Sequence, residues 1–413
     1  MEKFNLQFLD LLKSSLNNGT YEGGYIDSQD LKQIYHLSEI HHVLPMIYSA
    51  LHNEECFKNA DEEFKRMFKQ VALRLVVSQI QRSNRFLELY KILQKENIEI
   101  ISFKGIIFRN MYNNPDDRMS SDEDILVKQE DYDRIKDILC SEGLEFIEKE
   151  GNECAYFCKK KTGLCIEVST SLFPVESKAY GHLNKVFENI FENSININID
   201  GIDIKTLSHE QHLIYIVFHN MKHFLHGGFG IRQVADFSKY IETYNQFINW
   251  EKFWSDLKTL NYDTFALNLI DISLKYLGFD YTKAIYPEGV RDFNIIINSK
   301  DYYINSDDLI NDILNAGVFG GSTKERKHTA LMTLNAVEGQ NNTNRFKAIF
   351  PNVDYLKGSY TYLQKHPILL PIAWTQRILS YLKKNKNNTT SYINTMELGK
   401  QRIELLKEYK IIK

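Results

Sequence analysis

The sequence predicts an α+β protein in which a small mixed-sheet core is flanked by N-terminal and C-terminal helical regions. Three observations carry this. Residues 1 to about 97 repeat apolar side chains at three- and four-residue steps. The block from about 98 to 206 breaks into short β-branched runs separated by Gly, Asn and Asp. Helical spacing returns at Ser208. At ~150 residues per domain the length corresponds to two or three packed units. The texture places an N-terminal helical region at 1–92, the α/β core at 93–207, a second helical domain at 208–345 and a C-terminal helical extension at 346–413.

Composition excludes several classes. Hydrophobic residues make up 43% and charged residues 25%, enough for a sizeable core and too apolar for a disordered chain. The 50 basic and 54 acidic residues give a net charge of -4. Long nucleic acid is therefore not an expected partner, although a local basic cleft stays open. No run approaches the ~20 apolar residues of a membrane helix, and the N-terminus does not read as a signal peptide. Five cysteines, at 56, 140, 154, 158 and 165, form no disulfide framework and point to the reducing cytoplasm.

Taken in order, Phe4, Leu6, Phe8, Leu9, Leu11, Leu12 and Leu16 outline an amphipathic first helix. Asp61 caps a long helix to about Asn97 that carries Phe64, Met67, Phe68, Val71, Leu75, Val76, Ile80, Phe86 and Leu89. A strand over 98–103 runs into Lys104 and Gly105, and a helix follows over 106–112. Residues 113–117 are turn material. A strand over 122–127, a helix over 130–141 and a strand from Leu144 come next. Residues 153–159 and 164–170 read as a hairpin across a turn at 160–163. Asp200 and Gly201 turn a second hairpin. Ser208 and Gln211 match a capping box opening a helix through Leu225, with further helices at 231–245, 250–260 and 263–277 and at least two beyond 305. The polar tract 383–390 reads as a solvated loop.

Chemistry concentrates at Asp122-Glu123-Asp124. On a strand, Asp122 and Asp124 project to one face and Glu123 to the other. Adjacent carboxylates repel unless a cation or a proton lies between them, and Mg²⁺ prefers carboxylate oxygens together with substrate phosphates. Glu167, within the strand that closes the first hairpin, is the candidate third carboxylate. Shared metal ions require the three within roughly 4–6 Å. The competing reading is a solvated strand end, or a surface loop on an all-helical scaffold.

The arrangement Phe103-Lys104-Gly105, a helix, then Arg118-Met-Ser-Ser-Asp122-Glu-Asp124-Ile-Leu-Val127 resembles the DNA polymerase β-type nucleotidyltransferase superfamily. Within it the sequence is similar to the uncharacterised bacterial nucleotidyltransferase-like family. The resemblance continues at Ile166-Glu167-Val168, His219-Asn-Met-Lys222-His223 and Ile231-Arg232-Gln-Val-Ala-Asp236, covering about 90–245. It implies a nucleotidyltransferase core and Mg²⁺-dependent transfer (Mn²⁺ as a substitute) of an NMP group from an NTP, ATP among the candidates, to a hydroxyl of a small molecule or protein. Asp122, Asp124 and Glu167 would be the catalytic metal ligands. Lys104, Gly105, Arg118 and Ser121 would meet the nucleotide, Gly105 by opening a helix toward the phosphates. His219, Lys222, His223, Arg232 and Asp236 would line the substrate cleft from the helical domain.

Two departures stand out: Ile106 replaces the serine of the superfamily's Gly-Ser pair, and Glu123 occupies a customary apolar position. They motivate the alternative of an inactive module that senses nucleotide or binds a protein partner. Glu123 points to solvent or competes for the metal; Arg118 meets the triphosphate or pairs with Asp116 or Asp117. Lys104 has a plain surface reading, and His219 and His223 a structural one. The two histidines share a helix face, but Asn220 stands where the zinc-protease pattern requires Glu, which excludes that reading. Cys154 and Cys158 are ~13 Å apart along a strand, too far for one zinc ion, so Cys154, Cys158 and Cys165 read as small buried hydrophobes. Lys159–Lys161 reads as a solvated hairpin tip.

Overall fold

The computed structural model describes residues 1–147, 155–159, 163–318, 324–338, 353–357, 360–384 and 389–412. Helices α1 (Lys3–Leu16), α2 (Ser28–Ile40), α3 (Leu44–Leu51), α4 (Glu55–Lys58) and α5 (Glu62–Lys95) form the N-terminal region. Asp61 caps α5 by accepting from the Glu63 and Phe64 amides, both at 3.0 Å. The leucine face of α1 is buried, whereas Leu6 is exposed. Met67 and Ile80 of α5, expected inside, face solvent.

The α/β block follows as β1 (Ile100–Ser102), α6 (Gly105–Arg109), β2 (Glu123–Val127), α7 (Tyr132–Ser141), β3 (Glu145–Ile147), β4 (Ala155–Lys159) and β5 (Leu164–Ser169). The mixed five-stranded sheet has the order β1-β2-β5-β4-β3, with β2 and β5 parallel and the other pairs antiparallel. Every residue of β2 is buried. The Asp200-Gly201 hairpin forms separately as β6 (Ile195–Ile199) and β7 (Ile202–Thr206). Both turn residues have positive φ, 51° and 78°, as a tight two-residue turn requires. Its Lys205 ammonium lies 2.6 Å from Glu99, tying the hairpin to the β1 end of the sheet.

Helices α8 (His209–Leu225), α9 (Ile231–Tyr244), α10 (Trp250–Thr259), α11 (Asp263–Leu277), α12 (Phe293–Ile297), α13 (Ser306–Ala316) and α14 (Lys324–Val337) follow, with more helix over 353–356, 362–365, 370–384 and 389–408. Ser208 Oγ accepts from the Gln211 amide, as the capping box predicts. The ends of the 383–390 tract are helical rather than loop; residues 385–388, Cys154 and Lys160–Lys161 lie outside the described residues. One apolar core runs from Phe8 to Tyr409. The two helical regions meet directly. Asn17 donates to the Leu277 carbonyl at 2.8 Å. His41 accepts from the Ile231 amide and donates to the Leu314 carbonyl, both at 3.2 Å. Among the described residues no helix is long and apolar enough to cross a membrane.

Candidate active site

The turn from β1 into α6 is built around a carboxylate from the neighbouring strand. Glu123 Oε2 accepts the Ile106 amide at 2.7 Å, and Gly105 sits at φ 37°, where a Cβ would lie 1.9 Å from that oxygen. Burial pushes the Glu123 carboxyl up to about 7, against the Ile106 amide and the Arg118 and Arg109 charges, which pull it down. One expectation is corrected here. Glu123 neither reaches solvent nor competes for a metal, because it lies beneath α6 on the opposite sheet face. The Ile106 amide, next after Gly105, is held by the chain's own carboxylate, while Gly105 itself lines the cleft.

On the other face, Asp124 and Glu167 are direct partners across the parallel β2–β5 pair, and Asp122 lies one step before β2. Neighbouring strands are ~4.8 Å apart, so the register juxtaposes the two strand carboxylates. Asp124 is buried, and its Oδ1 is held by the Lys104 ammonium at 2.5 Å. Burial pushes the Asp124 carboxyl well up, and the Asp122 and Glu167 charges push further, against Lys104. Burial pulls Lys104 down, but Asp124, Tyr215, Glu167 and Asp122 outweigh it and raise it well above the usual lysine value. Lys104 is therefore no surface lysine. The Lys104 ammonium is thus held by the Asp124, Glu167 and Asp122 carboxylates together.

All three line a cleft of about 910 Å³, with a smaller recess of about 270 Å³ beside Asp124 and Glu167. Among the described residues no group of three His, Cys, Asp or Glu side chains is arranged to hold a metal ion as it stands. The cation paired with Asp124 is Lys104. The donor set nevertheless suits Mg²⁺ or Mn²⁺: hard carboxylate oxygens on facing strand positions beside a ligand-sized cleft.

Helix α8 forms the facing wall. Lys104 Nζ lies 3.4 Å from His219 Nε2, which faces His223 Nε2 at 3.2 Å. Burial, then the Lys104 charge, drives both imidazoles toward neutrality, His223 down to about 3. Lys222 lies over the Tyr180 ring at 5.6 Å. His219, Lys222 and His223 thus line the cleft. Tyr215, one turn before His219, also lines it and escaped the sequence reading; counting back four residues along the His219 face would have found it.

Arg118 is corrected in its partner. Its Nε and Nη2 bind both oxygens of Asp236 at 2.8 and 2.7 Å, and Tyr112 adds a hydrogen bond to Asp236 at 2.8 Å. Asp116 is instead the partner of Arg109, and Asp117 accepts from Ser49. Arg232 donates to the Met119 carbonyl. Ser121, Arg118, Arg232 and Asp236 all line the cleft.

Cys158 and Cys165 face each other across β4 and β5 and are joined by a disulfide. The half-buried pair lines the cleft rather than serving as core filling, which corrects the expectation of a chain without disulfides. The two positions are equidistant from the centre of the 160–163 turn, a signal the sequence already contained.

A model of the family described as uncharacterised nucleotidyltransferase matches residues 27–278. The chain belongs to that family. The match is wider than the motif-bearing 90–245 segment and takes in this chain's α2 to α5 and α11. The crystal structure of an antigenic nucleotidyltransferase-like protein from Paracoccidioides brasiliensis is similar at 15% identity, covering 48% of this chain and 93% of that one, with a TM-score of 0.31. No curated protein matches the sequence.

Proposed function

We propose that the protein is a Mg²⁺-dependent nucleotidyltransferase that moves an NMP group from an NTP to a hydroxyl of a small molecule or protein. The observation that carries this is the placement of Asp124 opposite Glu167, with Asp122 one step away, on the cleft face of the sheet. Asp122 and Asp124 would hold the ion that accompanies the triphosphate, and Glu167 with Asp124 the ion nearest the acceptor. Bound Mg²⁺ supplies charge neutralisation and orientation, the main needs of phosphoryl-type transfer.

The chain's own groups do the rest. Lys104 releases Asp124 and turns its charge to the phosphates. The acceptor oxygen forms a bond to the α-phosphorus while the bond from that phosphorus to the pyrophosphate oxygen breaks. Glu167 takes the acceptor's proton, and pyrophosphate leaves. The α8 wall, with His219, Lys222 and His223, positions the acceptor.

The test is calorimetric titration of each NTP with and without Mg²⁺, using Asp122→Ala/Asp124→Ala as control. Metal-dependent binding that disappears in the double variant is expected. Absence of binding to every NTP would overturn the reading in favour of a non-catalytic nucleotidyltransferase-fold module. The closed Lys104–Asp124 pair and the Glu123 carboxylate beneath α6 are the features that favour that second reading.

A further inference from the structure

Two buried guanidinium groups, Arg118 and Arg232, line the cleft together with the Asp236 carboxylate. Arg118 spends Nε and Nη2 on Asp236, but its Nη1 is buried and makes no hydrogen bond. Arg232, 8% exposed, donates to the Met119 carbonyl, and its buried Nε makes none. Both side chains line the cleft beside Ser120, Ser121 and Asp122. A buried N–H without an acceptor is costly, and two such donors on neighbouring cations at a cavity wall select for an anion.

The surrounding groups report the same positive potential. Burial lowers Arg232 to about 10, and the charge of Arg118 is the next cause. Burial also lowers His42 to about 4, followed by the charges of Arg232 and Arg82. Arg232 contributes to the depression of His219 and His223 as well, after burial and closer charges. Structural pairing explains Asp236 and half of Arg118. At Arg232, burial and the Arg118 charge outweigh the attraction of Asp236 and Asp122.

We propose that Arg118 and Arg232, with Ser121, form a phosphate subsite in the cleft that Asp122 also lines. Guanidinium groups suit a tetrahedral oxyanion because their N–H donors are fixed in a planar fork. The phosphate has two sources: the terminal phosphates of the NTP, or a phosphate carried by the acceptor. This rests on the nucleotidyltransferase reading for its place in the reaction, but not for binding itself.

The experiment titrates the full-length protein with inorganic pyrophosphate and with inorganic phosphate, without metal, comparing Arg232→Gln and Arg232→Lys with the native chain. Circular dichroism melting confirms that each variant is folded. Native protein should bind pyrophosphate, Arg232→Gln should lose about tenfold or more in affinity, and Arg232→Lys, which keeps the charge without the fork, should fall between the two. If pyrophosphate competes with NTP and Arg232→Gln weakens NTP binding, the subsite takes the triphosphate. If pyrophosphate or phosphate binds beside saturating NTP, and Arg232→Gln leaves NTP affinity intact, it takes the acceptor's phosphate. Pyrophosphate binding equal in native protein and a folded Arg232→Gln variant, or absent from both, would overturn the proposal. Pyrophosphate binding without any NTP binding would sink the function proposed above while leaving the subsite standing.

Discussion

Replacing Gly105 by alanine tests how the β1–α6 turn is held. Two costs follow from the geometry. The residue sits at φ 37°, where a side chain costs ~1–2 kcal/mol. The new Cβ would also lie 1.9 Å from Glu123 Oε2, so the carboxylate must withdraw from the Ile106 amide. Losing a buried charge-assisted hydrogen bond costs ~1.5–3 kcal/mol. Gly105→Ala should therefore lose about 3–5 kcal/mol of stability, read from urea denaturation followed by far-ultraviolet circular dichroism. The second cost exists only while Glu123 is present. In a Glu123→Ala background, Gly105→Ala should cost just the backbone part, ~1–2 kcal/mol. Additive costs, within about 0.5 kcal/mol, would refute the contact on which the reasoning rests.

Three further outcomes are expected. Asp236→Asn should lose ~3–5 kcal/mol because it strands the buried Arg118 guanidinium, whereas Arg118→Met/Asp236→Leu should lose less, as measured by denaturation of both. His41 is lowered to about 4 and His212 to about 3, each chiefly by burial. Their folded values lie below the unfolded ~6.5, so their contribution is complete above about pH 6.5 and drains away as pH falls toward 4 and 3. Each is worth ~3 kcal/mol or more, and His212→Asn should flatten the stability profile between pH 7 and 5; an unchanged slope refutes the assignment. Lys104→Gln should raise Mn²⁺ affinity in the absence of nucleotide, measured by electron paramagnetic resonance, because Asp124 loses its present cation. The same variant should lower NTP turnover, and unchanged metal affinity would argue against Lys104 as the compensating charge.

What could be read from the chain depended on how local the cause was. The Asp122-Glu123-Asp124 strand was legible because alternation fixes which carboxylates share a face whatever the neighbours. The Asp200-Gly201 hairpin and the Ser208 cap were legible for the same reason. The fate of Glu123 was not, since it depends on α6 folding back over the strand to present the Ile106 amide. Nor was the partner of Arg118, which lies 118 residues away on α9. Burial of Lys104 required the α8 wall, 115 residues further along at His219. On α5, helical spacing was right in period but overextended in scope: Met67 and Ile80 fit the apolar pattern and still face water.

The bond from Asn17 to the Leu277 carbonyl spans 260 residues and joins α1 to the end of α11. On a ribosome making ~5–20 residues per second, α1 emerges roughly 10–50 s before the helix it packs against. During that interval Phe8, Leu9, Leu11 and Leu12, all buried in the finished protein, have no partner on α11. Helix α1 also packs on α2 and α3, which follow it directly, so only the part of its apolar face that meets α11 must wait. Until α11 is made, that part of the face stays exposed on the nascent chain and available to a holding chaperone.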